Sequence, residues 1–267
     1  MKITFCSLFS GSSGNAIYVG ADNTHLLIDA GMPGKAVSEA LIGIGVLPET
    51  LSAILVTHEH SDHVKGVGVL SRKYRIPVYA NERTWQAMEK HVGAVAPACR
   101  RIFDSDSTFY IGGASILPYP VSHDAAEPVG YRIDYGGHSV ATATDTGVFT
   151  KKILGTLSGV DLLLLESNYD PDMLRENDNY SQRLKTRIQS RYGHLSNIDC
   201  ANAILALEKT GVRNIVLGHL SKENNSPELA LQTVCGILRE KGLVIGDDVS
   251  VGMAWRDRTG DRYEIGK

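Results

Sequence analysis

The alternation of apolar and polar residues predicts short strands in the first part of the chain, followed by alternating helices and strands. Apolar runs of strand length occur at residues 3–9, 16–19 and 25–29. Apolar residues then recur at helical spacing over residues 36–44, and the apolar run 53–56 predicts a further strand. A polar segment follows this strand directly, so we expect a loop at its carboxyl end.

The pattern continues with a helix, a strand and a second helix. Helical spacing of the apolar residues is found at Val64, Val67, Leu70 and Tyr74. Residues 77–80 then predict an edge-like strand, and Asn81 is suited to cap the helix that follows.

The remainder of the chain predicts a strand-rich middle and then renewed alternation. The middle strands are expected at residues 109–111, 115–120, 129–134 and 139–143, separated by Gly-Gly or Pro-containing turns. The elements expected after them are a buried strand at 161–165, a helix from a Ser196/Asp199 capping box through Glu208, a strand at 215–217 and a helix that begins at Ser226-Pro227. Strands followed by helices, given twice, predict an α/β fold with two sheets flanked by helices, in one domain over residues 1–267.

Composition narrows the function classes only slightly. Lys and Arg number 27 against 30 Asp and Glu, so the formal net charge of −3 argues against a chain that coats nucleic acid by bulk charge, while leaving room for a local basic groove. The four cysteines form no CxxC pair, which is typical of reduced proteins. The apolar start of the chain breaks at a Gly/Ser turn, residues 10–15, so we expect no leader, no membrane span and a cytoplasmic location.

The strongest chemical signal is the segment THEHSDH, residues 57–63, directly after a predicted buried strand. Its ligand-type side chains are His58, His60, Asp62 and His63. In extended backbone His58 and His60 point the same way, and the turn after them can aim Asp62 and His63 at a second centre. Three imidazoles packed without a metal would repel each other when protonated, so this spacing favours a metal site over a solvated loop.

Further ligand-type residues follow other predicted strands. His123, Asp145 and His219 each come just after a strand end, at residues 120, 143 and 217. Each could be an ordinary loop residue by itself. Together they follow one rule, because α/β folds build their sites at the carboxyl ends of strands.

This array resembles the metallo-β-lactamase superfamily, with Gly66 after the histidine cluster and Asp29 in the segment LIDAG as further points of similarity. The resemblance implies a four-layered αββα sandwich, two divalent metal ions and a structural role for Asp29 in supporting the metal loop. It implies one metal on His58, His60 and His123, the other on Asp62, His63 and His219, and Asp145 as the bridge between them.

The ligand chemistry indicates the metals and the branch. The bridging position is Asp145 rather than the Cys of true β-lactamases, and five imidazoles with two carboxylates accept Zn²⁺ or Mn²⁺, and also Fe²⁺. Flavodiiron relatives usually carry Glu where this chain has His60, which disfavours O₂ chemistry. Thioesterases like glyoxalase II have similar ligands and stay an alternative.

Two further residues favour phosphodiester chemistry. Glu166 follows the buried strand, and His194 precedes the capped helix in the segment GHLSN. The pair is similar to one in the tRNA 3′-processing endonucleases and their small phosphodiesterase relatives, where the histidine protonates the leaving oxygen and the acid orients it. The alternatives are a surface histidine before a helix and a structural glutamate.

The greatest overall similarity is to the YycJ/WalJ-type (VicX) branch. It rests on residues 9–15 (FSGSSGN), on 58–66 followed by VGVL, and on 193–197. The resemblance implies a bacterial DNA exonuclease that acts 5′ to 3′ on double strands. The Gly/Ser segment within 9–15 is interpreted as a hairpin turn, with a phosphate nest as the alternative.

A basic segment is the candidate for contact with the substrate backbone. Arg183, Arg187 and Arg191 are four residues apart, so a helix would align them in a stripe that ends just before His194. A solvated helix flank is an equally good interpretation. The neighbouring stripe of Tyr180, Leu184, Ile188 and Tyr192 is expected to be core rather than a base-stacking platform. Weaker candidates for phosphate contact are Lys222, Asn224 and Asn225.

The resulting prediction is a dinuclear metal-dependent phosphodiesterase, a 5′-to-3′ DNA exonuclease. A hydroxide between the two metals would attack phosphorus, Asp62 would help to orient it, and His194, held by Glu166, would protonate the leaving oxygen. RNA or a small phosphodiester stays open as substrate. The alternatives are a hydrolase of a cyclic phosphodiester, ester or thioester, and a metal-bound regulatory binding protein.

Overall fold

The computed structural model describes residues 1–266, and these form fourteen strands and nine α-helices. The strands are β1 (Lys2–Phe9), β2 (Ala16–Ala21), β3 (Thr24–Ile28), β4 (Ala53–Leu55), β5 (Val78–Ala80), β6 (Arg100–Ile102), β7 (Phe109–Ile111), β8 (Ala114–Pro120), β9 (Val129–Tyr135), β10 (His138–Ala143), β11 (Leu162–Glu166), β12 (Asn214–Gly218), β13 (Ser250–Met253) and β14 (Arg262–Gly266). The helices are α1 (Gly34–Gly43), α2 (Ser61–Val64), α3 (Val67–Tyr74), α4 (Glu82–Val92), α5 (Lys151–Leu157), α6 (Pro171–Glu176), α7 (Gln182–Ile188), α8 (Asn197–Glu208) and α9 (Pro227–Glu240).

Residue contacts divide the chain into two compact units. Unit 1 consists of Met1–Pro120, Ala125–His138 and the chain from Trp255 onward, and unit 2 consists of Val121–Asp124 and Ser139–Ala254. The expectation of one domain over residues 1–267 stays a prediction, and residue 267 lies outside the described range.

Unit 1 contains a mixed sheet of seven strands in the order β14-β1-β2-β3-β4-β5-β6. The first strands pair antiparallel, and β3 to β6 pair parallel. The apolar runs in β1, β2 and β4 are buried, and they share a hydrophobic core cluster with residues of α1, α3 and α4. In the parallel register Ile28 lies opposite Leu55, so the loops after β3 and β4 leave the sheet side by side. Strands β7, β8 and β9 of the same unit pair antiparallel.

Unit 2 contains four parallel strands in the order β13-β12-β11-β10. The central strand β11 is completely buried, as its unbroken apolar sequence LLLL predicts. Its register pairs Leu165 with Ala143 and Glu166 with Gly218. The carboxyl ends of β10, β11 and β12 therefore lie at one edge, which is where the candidate ligands of this unit are found.

The local signals in the sequence are confirmed. Ser196 and Asp199 form the capping box of α8, Asn81 caps α4 through the Thr84 amide, and α9 begins at Pro227 after Ser226. The hairpin interpretation of residues 10–15 is also confirmed, because this segment connects the antiparallel strands β1 and β2.

Two predicted elements are wrong. The strand expected at an edge, β5, lies inside the sheet between β4 and β6, because the short β6 covers it. The helix expected through Val64 and Tyr74 is two helices, since the backbone of Gly66 turns inward and donates to Ala30 O at 2.7 Å. Among residues 1–266, no helix has both the length and the apolar character that crossing a membrane requires.

Candidate functional site

Unit 1 brings together the four ligand-type side chains that follow β4. His58 Nε2 lies 3.1 Å from His60 Nδ1, and His63 Nε2 lies 3.6 Å from an Asp62 carboxylate oxygen. The rings of His58 and His63 have centroids 4.1 Å apart. We call these four residues, His58, His60, Asp62 and His63, the first cluster.

Asp29 supports the first cluster through hydrogen bonds of its carboxylate. It is buried directly after β3 in the left-handed region, at φ 59°. Its carboxylate accepts hydrogen bonds from the amide and hydroxyl of Thr57, both at 2.8 Å, and from His63 Nδ1 at 2.7 Å. The last bond sets the imidazole tautomer, so that Nε2 carries the lone pair that a metal requires.

The Gly/Ser turn also supports the first cluster, through Asn15. The Asn15 amide donates to Asp62 O at 2.8 Å, and its side-chain nitrogen lies 3.1 Å from His63 Nε2. A Cβ at Gly31 would overlap the Asp62 carbonyl, so only glycine allows this close approach of two backbones. Sequence reasoning did not assign this support to Asn15, because no local pattern relates it to a histidine 48 residues away.

Unit 2 contains a second cluster, which consists of His123, Asp145, Glu166, His194 and His219. Single ligand atoms of its last four members all lie within 4.8 Å of one another. Asp145 follows β10, Glu166 ends β11 and His219 follows β12, so the parallel register aligns them.

Glu166 is the hub of the second cluster. One carboxylate oxygen accepts hydrogen bonds from the amides of Thr146 and Leu195, at 3.0 and 3.3 Å. The other accepts from His194 Nδ1 at 2.7 Å and from His219 Nδ1 at 2.9 Å. Complete burial acts to raise the pKa of Glu166, but the two imidazoles outweigh it and hold this pKa below its ordinary value.

The imidazoles of His194 and His123 in the second cluster respond to different surroundings. Burial acts to lower the pKa of His194, but the Glu166 carboxylate outweighs this and raises it. For His123 burial dominates and lowers the pKa. His123 Nδ1 lies 3.1 Å from the Gly193 carbonyl, which joins it to the segment that carries His194.

The backbone at two positions of the second cluster is strained. Asp145 and His219 both adopt left-handed conformations, at φ 54° and 55°. Such strain in residues other than glycine concentrates at functional sites. It aims Asp145 Oδ1 at His219 Nε2, 3.4 Å away, and at His123 Nε2, 3.6 Å away.

The donor set fits divalent metal ions. In His63, His123 and His219 the Nδ1 atom faces a carboxylate or a backbone carbonyl, and this leaves Nε2 as the ligand atom. That outer contact is the usual orientation of metal-binding histidines. The clusters offer imidazole nitrogens and carboxylate oxygens, with no thiolate, which suits Zn²⁺, Mn²⁺ or Fe²⁺.

The predicted arginine stripe is wrong in part, because α7 ends at Ile188 and leaves Arg191 in the following turn. Arg183 and Arg187 are on the helix, and both are exposed. Arg187 donates to an Asp124 oxygen at 2.5 Å, and the other oxygen of that carboxylate lies 3.4 Å from His123 Nε2. Arg187 therefore reaches the second cluster through Asp124.

The neighbouring apolar stripe is not core. Helix α7 buries no residue, and Tyr192 lies beyond its end with half of its surface exposed. The segment turns away from helical geometry because the Gly193 amide bonds to Ser190 O, at 2.9 Å. Helical spacing therefore does not extend as far as the sequence suggested.

The weaker phosphate candidates occupy different surroundings. Lys222 is exposed, whereas Asn224 and Asn225 are buried. Asn225 donates to the carbonyl oxygens of Ser167 and Asn168, at 2.9 and 3.2 Å, so its amide supports the loop after β11. The Asn224 side-chain oxygen accepts from another asparagine amide at 2.7 Å.

Asn168 is a supporting residue that sequence reasoning missed. Its side-chain nitrogen donates to the main-chain oxygen of His219 at 2.7 Å, and this bond helps to hold the left-handed conformation there. The two residues are 51 positions apart, so only the parallel register of β11 and β12 brings them together.

Comparison with known proteins identifies relatives along most of the chain. Residues 24–220 match the family described as "Beta-lactamase superfamily domain". The chain is 45% identical over 246 residues to "Exodeoxyribonuclease WalJ" of Streptococcus pneumoniae serotype 2, with 91% of each chain covered. It is 44% identical over 248 residues to "Exodeoxyribonuclease YycJ" of Bacillus anthracis, with 92% of this chain and 93% of the relative covered.

A solved structure agrees in fold. The metallo-β-lactamase fold protein YhfI from Bacillus subtilis superposes with a TM-score of 0.76 over 99% of this chain and 100% of the other, at 17% identity. The expected fold class, two mixed sheets flanked by helices in an α/β sandwich, is thereby confirmed.

Proposed function

Because the chain belongs to the metallo-β-lactamase superfamily, in the branch of the WalJ and YycJ proteins, we propose that it is a metal-dependent exonuclease that hydrolyses DNA. The observation that carries the proposal is the 2.7 Å contact between His194 Nδ1 and Glu166 beside a set of metal-ligand side chains. A phosphodiester expels an alkoxide, which is a poor leaving group unless a positioned acid protonates it.

We assign the metals by membership of the superfamily. One would be held by His58, His60 and His123, the other by Asp62, His63 and His219, and Asp145 would contribute to both. Zn²⁺ or Mn²⁺ is proposed, and Fe²⁺ suits the same donors. Two bound cations would polarise the phosphoryl oxygen, lower the pKa of a water molecule and stabilise the charge that develops in the transition state.

The residues of the chain supply positioning and proton transfer. Asp62 would orient the attacking water through its carboxylate. His194, protonated at Nε2, would donate that proton to the departing sugar oxygen, while Glu166 holds Nδ1 and keeps the ring oriented. The raised pKa of His194 supports this role, because the acid must still carry its proton near neutral pH.

A panel of substrates tests the activity. End-labelled duplex DNA, single-stranded DNA and RNA with defined 5′ and 3′ termini should be incubated with Mn²⁺, Zn²⁺ or a chelator. The proposal expects stepwise shortening of duplex DNA from the 5′ end that requires a metal. Hydrolysis of a thioester or a cyclic phosphodiester without any loss of DNA would replace it with a small-molecule hydrolase, and no turnover after metal loading would favour a binding protein.

The arginine-rich segment tests the size of the substrate. If Arg183, Arg187 and Arg191 contact DNA phosphates, their joint replacement with Gln should raise KM for DNA and flatten its salt dependence. Each lost phosphate contact should remove about 0.9 from the slope of log K against log salt. Arg187→Gln alone is the control. Arg187 contacts Asp124, which lies next to His123, so this single variant separates the support of the metal ligand from the binding of the DNA backbone. An unchanged slope in the triple variant contradicts the assignment.

A further inference from the structure

Tyr192 is an exposed aromatic residue beside the proposed catalytic histidine. It lies two positions before His194, and its side chain is 52% exposed. The guanidinium carbon of Arg191 lies 5.4 Å from the centre of its ring, within the range of a cation–π contact. Tyr192 differs in this from the buried tyrosines of the chain, such as Tyr119 and Tyr131.

The backbone that carries Tyr192 is held firmly in place. The carbonyl of Arg191 accepts from the Ser122 hydroxyl at 2.7 Å, and the carbonyl of Tyr192 accepts from the Asp124 amide at 3.2 Å. A Cβ at Gly193 would overlap the carbonyl of Ile188, so the segment packs tightly against the end of α7. The ring is thus presented by a fixed support, and little conformational freedom would be lost when a ligand stacks on it.

The neighbourhood of Tyr192 carries the charge that a nucleic-acid strand needs. Within residues 1–266, the Arg191 guanidinium has no carboxylate partner, whereas Arg187 is paired with Asp124. Two residues of chain span at most about 7 Å, so the backbone of Tyr192 lies no further than this from that of His194, and a nucleotide whose phosphate lies at His194 has its base within reach of the ring at position 192.

From these contacts we propose that Tyr192, with Arg191 against it, is a stacking platform for a nucleobase next to the cleaved phosphate. The inference rests on the proposed function and specifies how that site would recognise a polynucleotide. Stacking accepts any base, because every base has a π face, so the platform gives preference for nucleic acid without preference for sequence. Arg191 contributes through the face of the base and through the adjacent phosphate.

The test compares variants on DNA with and without the base. Tyr192→Ala should raise KM for DNA about 5-fold to 150-fold, since one stacked base contributes about 1–3 kcal/mol, and Tyr192→Phe should restore the wild-type value. Tyr110→Ala is the matched control, because Tyr110 is an exposed aromatic on β7, 71% exposed, and should leave KM unchanged.

Abasic substrates identify the partner of the ring. Duplexes with an abasic site at the first or the second nucleotide should show a raised KM with the wild-type protein. At the one of these positions whose base stacks on the ring, Tyr192→Ala should raise KM no further, because that base is already missing. A full effect of Tyr192→Ala on both abasic substrates, or no effect on intact DNA, overturns the platform. A wild-type protein that digests no DNA overturns the proposed function instead, so the two failures are distinguishable.

Discussion

The contact between His194 and Glu166 should be visible in the pH dependence of the reaction. Glu166→Gln keeps the size of the side chain and removes its negative charge. The carboxylate raises the pKa of His194 against the opposing effect of burial, so its removal should lower that pKa. A general acid works only while it is protonated. The decline of activity with rising pH should therefore begin at a lower pH in the variant than in the wild type.

The hydrogen bond is the interaction that the variant weakens. His194 Nδ1 lies 2.7 Å from a completely buried carboxylate oxygen. A hydrogen bond to a charged group contributes about 1.5–3 kcal/mol. The alkaline limb of the kcat profile should thus move toward acid.

The assay is kcat on duplex DNA across pH for the wild type and Glu166→Gln, with metal content measured in parallel. The metal measurement is necessary because Glu166 also accepts from His219 Nδ1 at 2.9 Å.

His194→Ala should keep its metal, lose about 10²-fold or more in kcat on DNA, and lose much less on bis-p-nitrophenyl phosphate, whose leaving group is already acidic.

The double variant decides whether Glu166 acts through His194. If it does, Glu166→Gln should add little to the loss already caused by His194→Ala. An alkaline limb that stays in place, or losses that multiply in the double variant, would falsify this coupling. Equal losses by His194→Ala on both substrates would show that His194 is not the acid.

Three further variants test the two clusters. Asp145→Ala should reduce metal content, measured by elemental analysis, together with turnover, because the shared ligand is lost; two retained metals with normal turnover contradict the bridging assignment. Gly31→Ala should destabilise the fold by about 1–3 kcal/mol in thermal melts, since its Cβ would overlap the Asp62 carbonyl. Gly43→Ala is the control, because no atom lies within 4 Å of the added Cβ, and it should leave Tm unchanged or raise it. Asn168→Ala should weaken metal binding about 10- to 100-fold in a metal titration, and an unaltered affinity would limit Asn168 to a structural role.

Local chemistry made much of this protein readable from its sequence. The capping residues Ser196 and Asn81 each bond to a backbone amide three residues ahead, so the residues that make the cap are close together in the sequence. The ligand-type residues in the segment 57–63 and at the strand ends could also be found from local sequence. A buried apolar run followed by such side chains indicates both a strand and its functional end. The family could be recognised for that reason.

Contacts between distant segments were decided only by the tertiary structure. Asn168 lies 51 positions from His219, and Arg187 lies 63 positions from Asp124. No periodic pattern in the sequence relates the members of either pair. The expected stripe through Tyr192 failed for a local reason, because the backbone bonds around Gly193 end helical geometry where side-chain spacing would continue it. Periodicity reports which face a residue takes within one element, whereas the register of parallel strands and the close approach of backbones determine which elements meet.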